Sequence, residues 1–166
     1  MLCDENGNLT TPMSKSQVHS EGLLHKAFSV FVVRDGKMLL QRRAASKYHS
    51  PLLWSNACCS HYIPDEKSVK RLVAKRLKQE LGCKLKRLTY LFDFSYKTRL
   101  ENGLIENEHD TVFLADVGRH FSLNSNEVES IKWIDICQLS TEIESNSSSF
   151  TYWFLQCYKN VLKMTI

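Results

Sequence analysis

The sequence contains no apolar run that approaches the roughly 20 residues needed to cross a bilayer. Residues 1–13 include Asp4, Glu5, Asn6 and Asn8 and lack the apolar core of a signal peptide. These absences predict a cytoplasmic protein in a reducing environment, without membrane contact.

Dense runs of Lys and Arg are also missing, although the formal net charge is +4. The 22 basic and 18 acidic residues are mixed along the chain, which argues against a nucleic-acid-binding face. A small anionic substrate fits this charge pattern better than a polyanion.

The cysteines lack the spacing of a disulfide framework or a zinc finger, and no internal repeat or low-complexity segment is evident. We expect free thiols, most of them small core residues. The six positions are Cys3, Cys58, Cys59, Cys83, Cys137 and Cys157.

With 166 residues, 43% of them hydrophobic, the chain can bury about two-thirds of its extended surface in one core. We therefore expect a single domain spanning residues 1–166, and a monomer.

Apolar periodicity predicts mixed secondary structure in the first half of the chain. Residues 23–33 and 38–41 are apolar runs separated by a turn at Asp35 and Gly36, which predicts a β-hairpin. A further short apolar run covers residues 52–59. Helical spacing of apolar residues predicts a helix at about 65–81, which Gly82 ends.

In the second half, residues 87–96 and 104–115 predict a second hairpin, and residues 130–134 a short strand. Ser147, Ser148 and Ser149 are cap candidates for a last helix. Hairpins with helices on their faces indicate the α+β class.

Glu106 and Glu108 would share one face of a strand, where two like charges require a metal ion or a shared proton. With His19, His25 and His61 they provide enough nitrogen and oxygen ligands for a divalent ion. A solvated strand face and ordinary polar histidines are the alternative interpretation.

Cys59 and His61 are two residues apart, an arrangement that fits a nucleophile and base, a metal site, or a core thiol beside a surface imidazole. Arg42, Arg43 and Lys47 fit either a phosphate-binding group or a solvated hairpin edge.

Taken together, these segments resemble the type I isopentenyl diphosphate isomerases, which have a Nudix-like α+β fold with a mixed β-sheet and flanking helices. The resemblance covers residues 15–153, and its most specific parts are residues 56–61 and 106–108. The matching segments, in order, are LLHKAFSVFV, LLQRRAASK, SNACCSH, KQELG, FSYK and ENE.

The resemblance implies an isopentenyl-diphosphate Delta-isomerase of isoprenoid biosynthesis, acting on a small diphosphate. It implies Cys59 and Glu108 as proton-transfer groups on opposite faces of the substrate. Tyr96 would be a third catalytic residue, hydrogen-bonded to the catalytic carboxylate, whose phenol helps to deliver or orient a proton. Trp153 would face a carbocation-like intermediate.

The resemblance also implies two cation sites and a diphosphate site. A divalent ion (Mn²⁺, Mg²⁺ or Zn²⁺) would bind His19, His25, His61, Glu106 and Glu108. A Mg²⁺ ion would bridge Glu80 to the diphosphate, which would also contact Lys15, Arg43, Lys47 and Arg76.

Two other functions remain open at this stage. In the Nudix hydrolase pattern aligned on Gly82, only Glu80 of the carboxylates is retained, which argues against hydrolysis at phosphorus. A non-catalytic metal-binding or thiol-sensing module built on Cys58, Cys59 and His61 is the second alternative.

Overall fold

A computed structural model describes residues 1–66 and 68–165 of the chain. It contains two four-stranded sheets and four α-helices, so the predicted α+β class is confirmed. Among these residues, every helix is too short or too polar to traverse a lipid bilayer.

The first sheet is mixed and has the strand order β5-β1-β7-β6. Its two central strands, β1 and β7, run parallel, and both outer pairs are antiparallel. The strands are β1 (His25–Phe31), β5 (Cys58–His61), β6 (Leu85–Arg99) and β7 (Ile105–Val117).

The second sheet is built around one central strand, β3, whose partners are all antiparallel. One edge of β3 pairs with two short strands and the other edge with β8. The strands are β2 (Val33–Arg34), β3 (Lys37–Arg43), β4 (Trp54–Ser55) and β8 (Val128–Asp135).

Alternating strand residues form two apolar cores. Phe28, Leu39 and Phe113 pack in the core that includes the second helix, whereas Met38 and Val112 belong to the core that includes the last two helices. The helices are α1 (Lys15–Glu21), α2 (Val69–Leu81), α3 (Ile136–Ser145) and α4 (Tyr152–Thr165).

The hairpin predicted from residues 87–96 and 104–115 is confirmed, and β6 and β7 extend it at both ends. The strand predicted at 130–134 lies within β8. The six cysteines are free thiols; four of them are buried, as expected.

Two apolar runs divide between the sheets instead of forming single strands. Residues 23–33 contribute β1 to the first sheet and β2 to the second, so only the tip of the predicted hairpin exists, with Val33 opposite Met38. The run 52–59 divides likewise into β4 and β5. Residues buried in either sheet are equally apolar, so the sequence does not mark the crossing.

The predicted helix starts were wrong. Helix α2 begins at Val69, because the Ser68 hydroxyl accepts a hydrogen bond from the Arg71 N–H at 3.4 Å and acts as the N-cap. The serines at 147–149 form a separate 3₁₀ turn before α4 and do not cap it.

Candidate active site

Three histidines and a glutamate converge where α1 meets the first sheet. The pairing of β1 with β7 places His25 opposite Glu108. The pairing of β1 with β5 places His61 opposite Ala27, two residues after His25. The Nε2 atoms of His25 and His61 lie 3.3 and 2.9 Å from Glu108 Oε1. With His19 from α1, one ligand atom from each residue lies within 4.8 Å of all the others.

The donor set fits a divalent cation. His19 Nε2 is buried and has no hydrogen-bond partner among the described residues, although a buried polar atom normally has one. Three imidazoles with a carboxylate suit zinc and also admit manganese. This arrangement favours the metal-site interpretation over isolated polar histidines.

Glu106 lies beside this cluster instead of within its 4.8 Å group. Both Glu106 and Glu108 are buried, so the solvated strand face is excluded. The Tyr96 hydroxyl lies 2.6 Å from Glu108 Oε2 and 3.3 Å from Glu106 Oε2. The three side chains therefore form one buried acidic group on neighbouring strands.

The two glutamates have pKa values shifted in opposite directions. Burial raises the pKa of Glu106 to about 8, and the negative charge of Glu108 adds to the shift. Burial also acts to raise the pKa of Glu108, but its hydrogen bonds with His25 and His61 outweigh this, and the net pKa lies well below the ordinary value. With no cation at the site, a proton shared by this pair therefore resides on Glu106 and not on Glu108.

Cys59 lines the same cavity as the acidic group and lies among polar side chains. Its Sγ lies 3.1 Å from Asn56 Oδ1 and 3.1 Å from Trp153 Nε1, which also donates to the Ser55 hydroxyl at 3.0 Å. Burial and the charge of Asp110 raise the pKa of Cys59 to about 12. The side chain is therefore a protonated thiol at neutral pH.

One cavity of about 80 Å³ contains Cys59 and Glu108, the two residues expected to transfer protons, together with Tyr96 and Trp153. All four cationic residues expected to hold a diphosphate line it as well. These are Lys15, Arg43, Lys47 and Arg76.

The remaining predicted ligand, Glu80, is not among the residues that line the cavity but contacts Arg76, which is. It is buried, pairs with Arg76 on the same helix and accepts a hydrogen bond from Gln41 Nε2 at 3.2 Å. Arg42 points away from the cavity and donates to the Leu52 carbonyl oxygen at 2.9 Å. The predicted basic group is thus divided. Arg43 and Lys47 line the cavity, and Arg42 lies outside it.

Sequence reasoning missed three side chains at the site. Tyr48 Oη lies 2.8 Å from His19 Nδ1, and His49 Nε2 lies 3.5 Å from Glu106 Oε1. Asp110 is buried and accepts a hydrogen bond from the Ser29 hydroxyl at 2.7 Å. Strand alternation after Glu106 and Glu108 would have found Asp110, but no periodic signal marks the loop at 44–53.

Comparisons with known proteins identify relatives of the chain. The model of the NUDIX domain family matches residues 23–154. "Isopentenyl-diphosphate Delta-isomerase 2" of Aromatoleum aromaticum is 38% identical over 98% of this chain and 85% of its own. "Isopentenyl-diphosphate Delta-isomerase" of Jannaschia sp. is 39% identical, over 95% and 91%.

Solved structures share the fold at lower identity. A MutT protein from Methanosarcina mazei superposes with a TM-score of 0.64 at 16% identity, covering 86% of this chain and 96% of its own. A NUDIX hydrolase from Nitrosomonas europaea gives a TM-score of 0.61 at 14% identity, over 84% and 88%.

Proposed function

The chain belongs to the NUDIX domain family and, within it, to the isopentenyl-diphosphate Delta-isomerases; on that premise we propose how it interconverts isopentenyl and dimethylallyl diphosphate. Protonation and deprotonation occur on opposite faces of the five-carbon skeleton, through a carbocation-like intermediate. One observation carries the proposal: a protonated thiol, Cys59, and an ionised carboxylate, Glu108, line the same small cavity.

Cys59 and Glu108 together hold one transferable proton. A proton added to the terminal alkene carbon of isopentenyl diphosphate leaves a positive charge at the tertiary carbon. Loss of a proton from the carbon on the diphosphate side then forms the new double bond. One forward turnover leaves Cys59 as a thiolate and Glu108 protonated. Before the next turnover Glu108 releases its proton and Cys59 takes one up by exchange with water, which is how deuterium enters the product.

Tyr96 and Trp153 support these steps by positioning the two proton-transfer groups. The Tyr96 hydroxyl holds Glu108 at 2.6 Å and fixes the carboxylate against the substrate. The buried Trp153 indole orients the Cys59 sulfur and offers its π face to the positive charge. Such a contact stabilises a cation by about 2 kcal/mol when water is excluded.

The four lining cations bind the diphosphate and keep it fixed while the hydrocarbon end reacts. A divalent ion (Mn²⁺, Mg²⁺ or Zn²⁺) held by His19, His25, His61, Glu108 and the adjacent Glu106 would fix the carboxylate and stabilise its charge. We assign Glu80 to a Mg²⁺ ion that accompanies the diphosphate, where its contact with Arg76 joins it to the other phosphate-binding groups.

The composition of α2 opposes the alternative of diphosphate hydrolysis. Hydrolases of this fold need a cluster of carboxylates that holds magnesium for attack on phosphorus. Here only Glu80 of that pattern remains, and it is paired with Arg76. Sharing a fold with hydrolases does not imply that the chain catalyses hydrolysis.

Proton NMR of isopentenyl diphosphate with the purified protein and Mg²⁺ in deuterated water tests the proposal. We expect dimethylallyl diphosphate to form with deuterium in its carbon skeleton and the diphosphate intact. Cys59→Ala and Glu108→Gln should each lower turnover by at least about 10³-fold, since each removes a proton-transfer group. Cys137→Ala, at an exposed cysteine outside the site, is the matched control and should retain turnover.

Release of phosphate or pyrophosphate would contradict the isomerase and support hydrolysis. Undiminished turnover in a folded Cys59→Ala or Glu108→Gln variant would remove that residue from the mechanism. Metal binding without any conversion would support the non-catalytic module.

A further inference from the structure

The loop at residues 44–53, between β3 and β4, inserts one tyrosine against the histidine cluster. Tyr48 Oη lies 2.8 Å from His19 Nδ1, and the two rings are nearly parallel, with centroids 5.9 Å apart. The opposite ring nitrogen, His19 Nε2, is buried and has no hydrogen-bond partner among residues 1–66 and 68–165. The two nitrogens of one imidazole therefore have separate roles.

A cation bound at Nε2 of His19 determines which ring nitrogen carries the proton. The coordinating nitrogen must present its lone pair, so in a neutral imidazole the proton resides on Nδ1 and needs an acceptor. The hydroxyl oxygen of Tyr48 is within hydrogen-bond distance to accept it. A neutral phenol accepts this proton through an oxygen lone pair.

The neighbouring histidine supplies an internal comparison. His25 Nδ1 lies 2.9 Å from the backbone carbonyl oxygen of Leu23, which can only accept, so with a cation in the cluster the ring proton of His25 stays on Nδ1 and Nε2 is free to coordinate. His19 has Tyr48 in the equivalent position. One histidine of the cluster is thus oriented by the backbone and the other by a side chain from a distant loop.

Contacts from two other elements hold Tyr48 in place. Asn102 Nδ2, at the turn between β6 and β7, donates to the Tyr48 carbonyl oxygen at 2.7 Å. The Lys15 ammonium lies 4.7 Å from the centroid of the Tyr48 ring. The hydroxyl and the ring therefore have separable functions: the hydroxyl contacts His19, and the ring supports a cation of the diphosphate site.

We propose that Tyr48 is a positioning residue that fixes the tautomer and ring orientation of His19 for cation binding through Nε2. The inference rests on the metal site in the proposed function and adds to it a residue from the 44–53 loop. Outer partners of metal-bound histidines typically change metal affinity 10- to 100-fold when removed.

The test is a titration of metal-free protein with Mn²⁺ or Zn²⁺ in competition with a chromophoric chelator. Tyr48→Phe keeps the ring and removes the hydroxyl, and we expect its metal Kd to rise about 10- to 100-fold. Tyr158→Phe removes a hydroxyl from a buried tyrosine of α4 and is the matched control, with an unchanged Kd. In a His19→Ala background, Tyr48→Phe should have no further effect on Kd.

Kinetics separate the hydroxyl from the ring. Raising the metal concentration should restore kcat in Tyr48→Phe, because the variant is impaired in metal affinity. Tyr48→Leu also loses the ring that contacts Lys15, so its KM for isopentenyl diphosphate should stay elevated at saturating metal.

The titration separates the role of Tyr48 from the existence of the metal site. An unchanged metal Kd in Tyr48→Phe, with wild-type protein binding metal normally, would overturn the role of Tyr48 alone. An equal loss in the His19→Ala background would also overturn it. Failure of the wild-type protein to bind either metal would overturn the metal site of the proposed function together with this inference.

Discussion

Three carboxylates in a row on one face of β7 have different surroundings. Glu108 meets two histidines, Glu106 meets Tyr96 and His49, and Asp110 meets the Ser29 hydroxyl. Burial and the nearby charge of Glu108 raise the pKa of Asp110 well above its ordinary value of 3.8. Identical strand positions therefore give different protonation states, because each carboxyl group has different partners.

Replacing Asp110 tests this difference through pH. The raised pKa means that the folded state binds a proton that the unfolded state releases, so Asp110 favours folding below pH about 4 and this contribution is lost as pH rises through the folded pKa. Asp110→Asn cannot ionise. Thermal midpoints are measured in the presence of a chelator. The midpoint of the variant minus that of the wild type should increase from pH 4 to pH 8.

The comparison at pH 4 is the internal control, because the wild-type carboxyl is then protonated in the folded state. A difference in thermal midpoint that does not change with pH would contradict the raised pKa of Asp110.

For single residues, the sequence predicts which strand residues belong to the site but fails for residues in loops. Glu106, Glu108 and Cys59 follow strand alternation or a recognisable segment, and the structure brings them to one cavity. Tyr48 and His49 lie in a loop without periodicity and meet partners far away in the chain. Their contacts depend on the path of the loop, which composition does not determine.

Helix α2 ends at a glycine in the left-handed conformation. Gly82 follows it with φ +65°, and a Cβ there would lie 2.4 Å from the Ser122 carbonyl oxygen. Gly82→Ala should lower the free energy of unfolding by about 3 kcal/mol, through backbone strain and the clash. Urea denaturation followed by circular dichroism measures the change.

Gly36 is the matched control for Gly82, because its φ is +71° but an added Cβ would meet no atom within 4 Å. Gly36→Ala should cost only the left-handed backbone penalty, about 1 kcal/mol. Equal losses in the two variants would show that the contact with Ser122 contributes nothing.

Elements with strong periodicity were predicted from the sequence. Short elements, and apolar runs that divide between the two sheets, were not. The β6–β7 hairpin alternates over many residues and emerged correctly. Helices α1 and α3 are short and were not predicted, since seven and ten residues leave little helical pattern to detect. The missed α1 is the element that carries His19 into the site.

At the scale of the whole molecule, the histidine cluster joins four elements: α1, β1, β5 and β7. A cation bound there stabilises the folded state, because the unfolded chain holds no such site. With metal at 100 times its Kd, the gain is about 2.7 kcal/mol. Added Mn²⁺ or Zn²⁺ should therefore raise the thermal midpoint of metal-free protein, and a chelator should reverse the increase.

His61→Ala should abolish this increase, whereas His109→Ala should retain it, since His109 lies outside the cluster. An identical rise in thermal midpoint in both variants would indicate that the cation binds elsewhere.

The two walls of the cavity come from opposite parts of the chain. Trp153 and Thr151 are tied to Ser55 by hydrogen bonds of 3.0 and 3.1 Å, and only then does the indole cover the Cys59 sulfur. On the ribosome, residues 1–117 emerge before residue 153. Until α4 has been synthesised, Cys59 therefore lacks the indole that covers its sulfur in the folded protein.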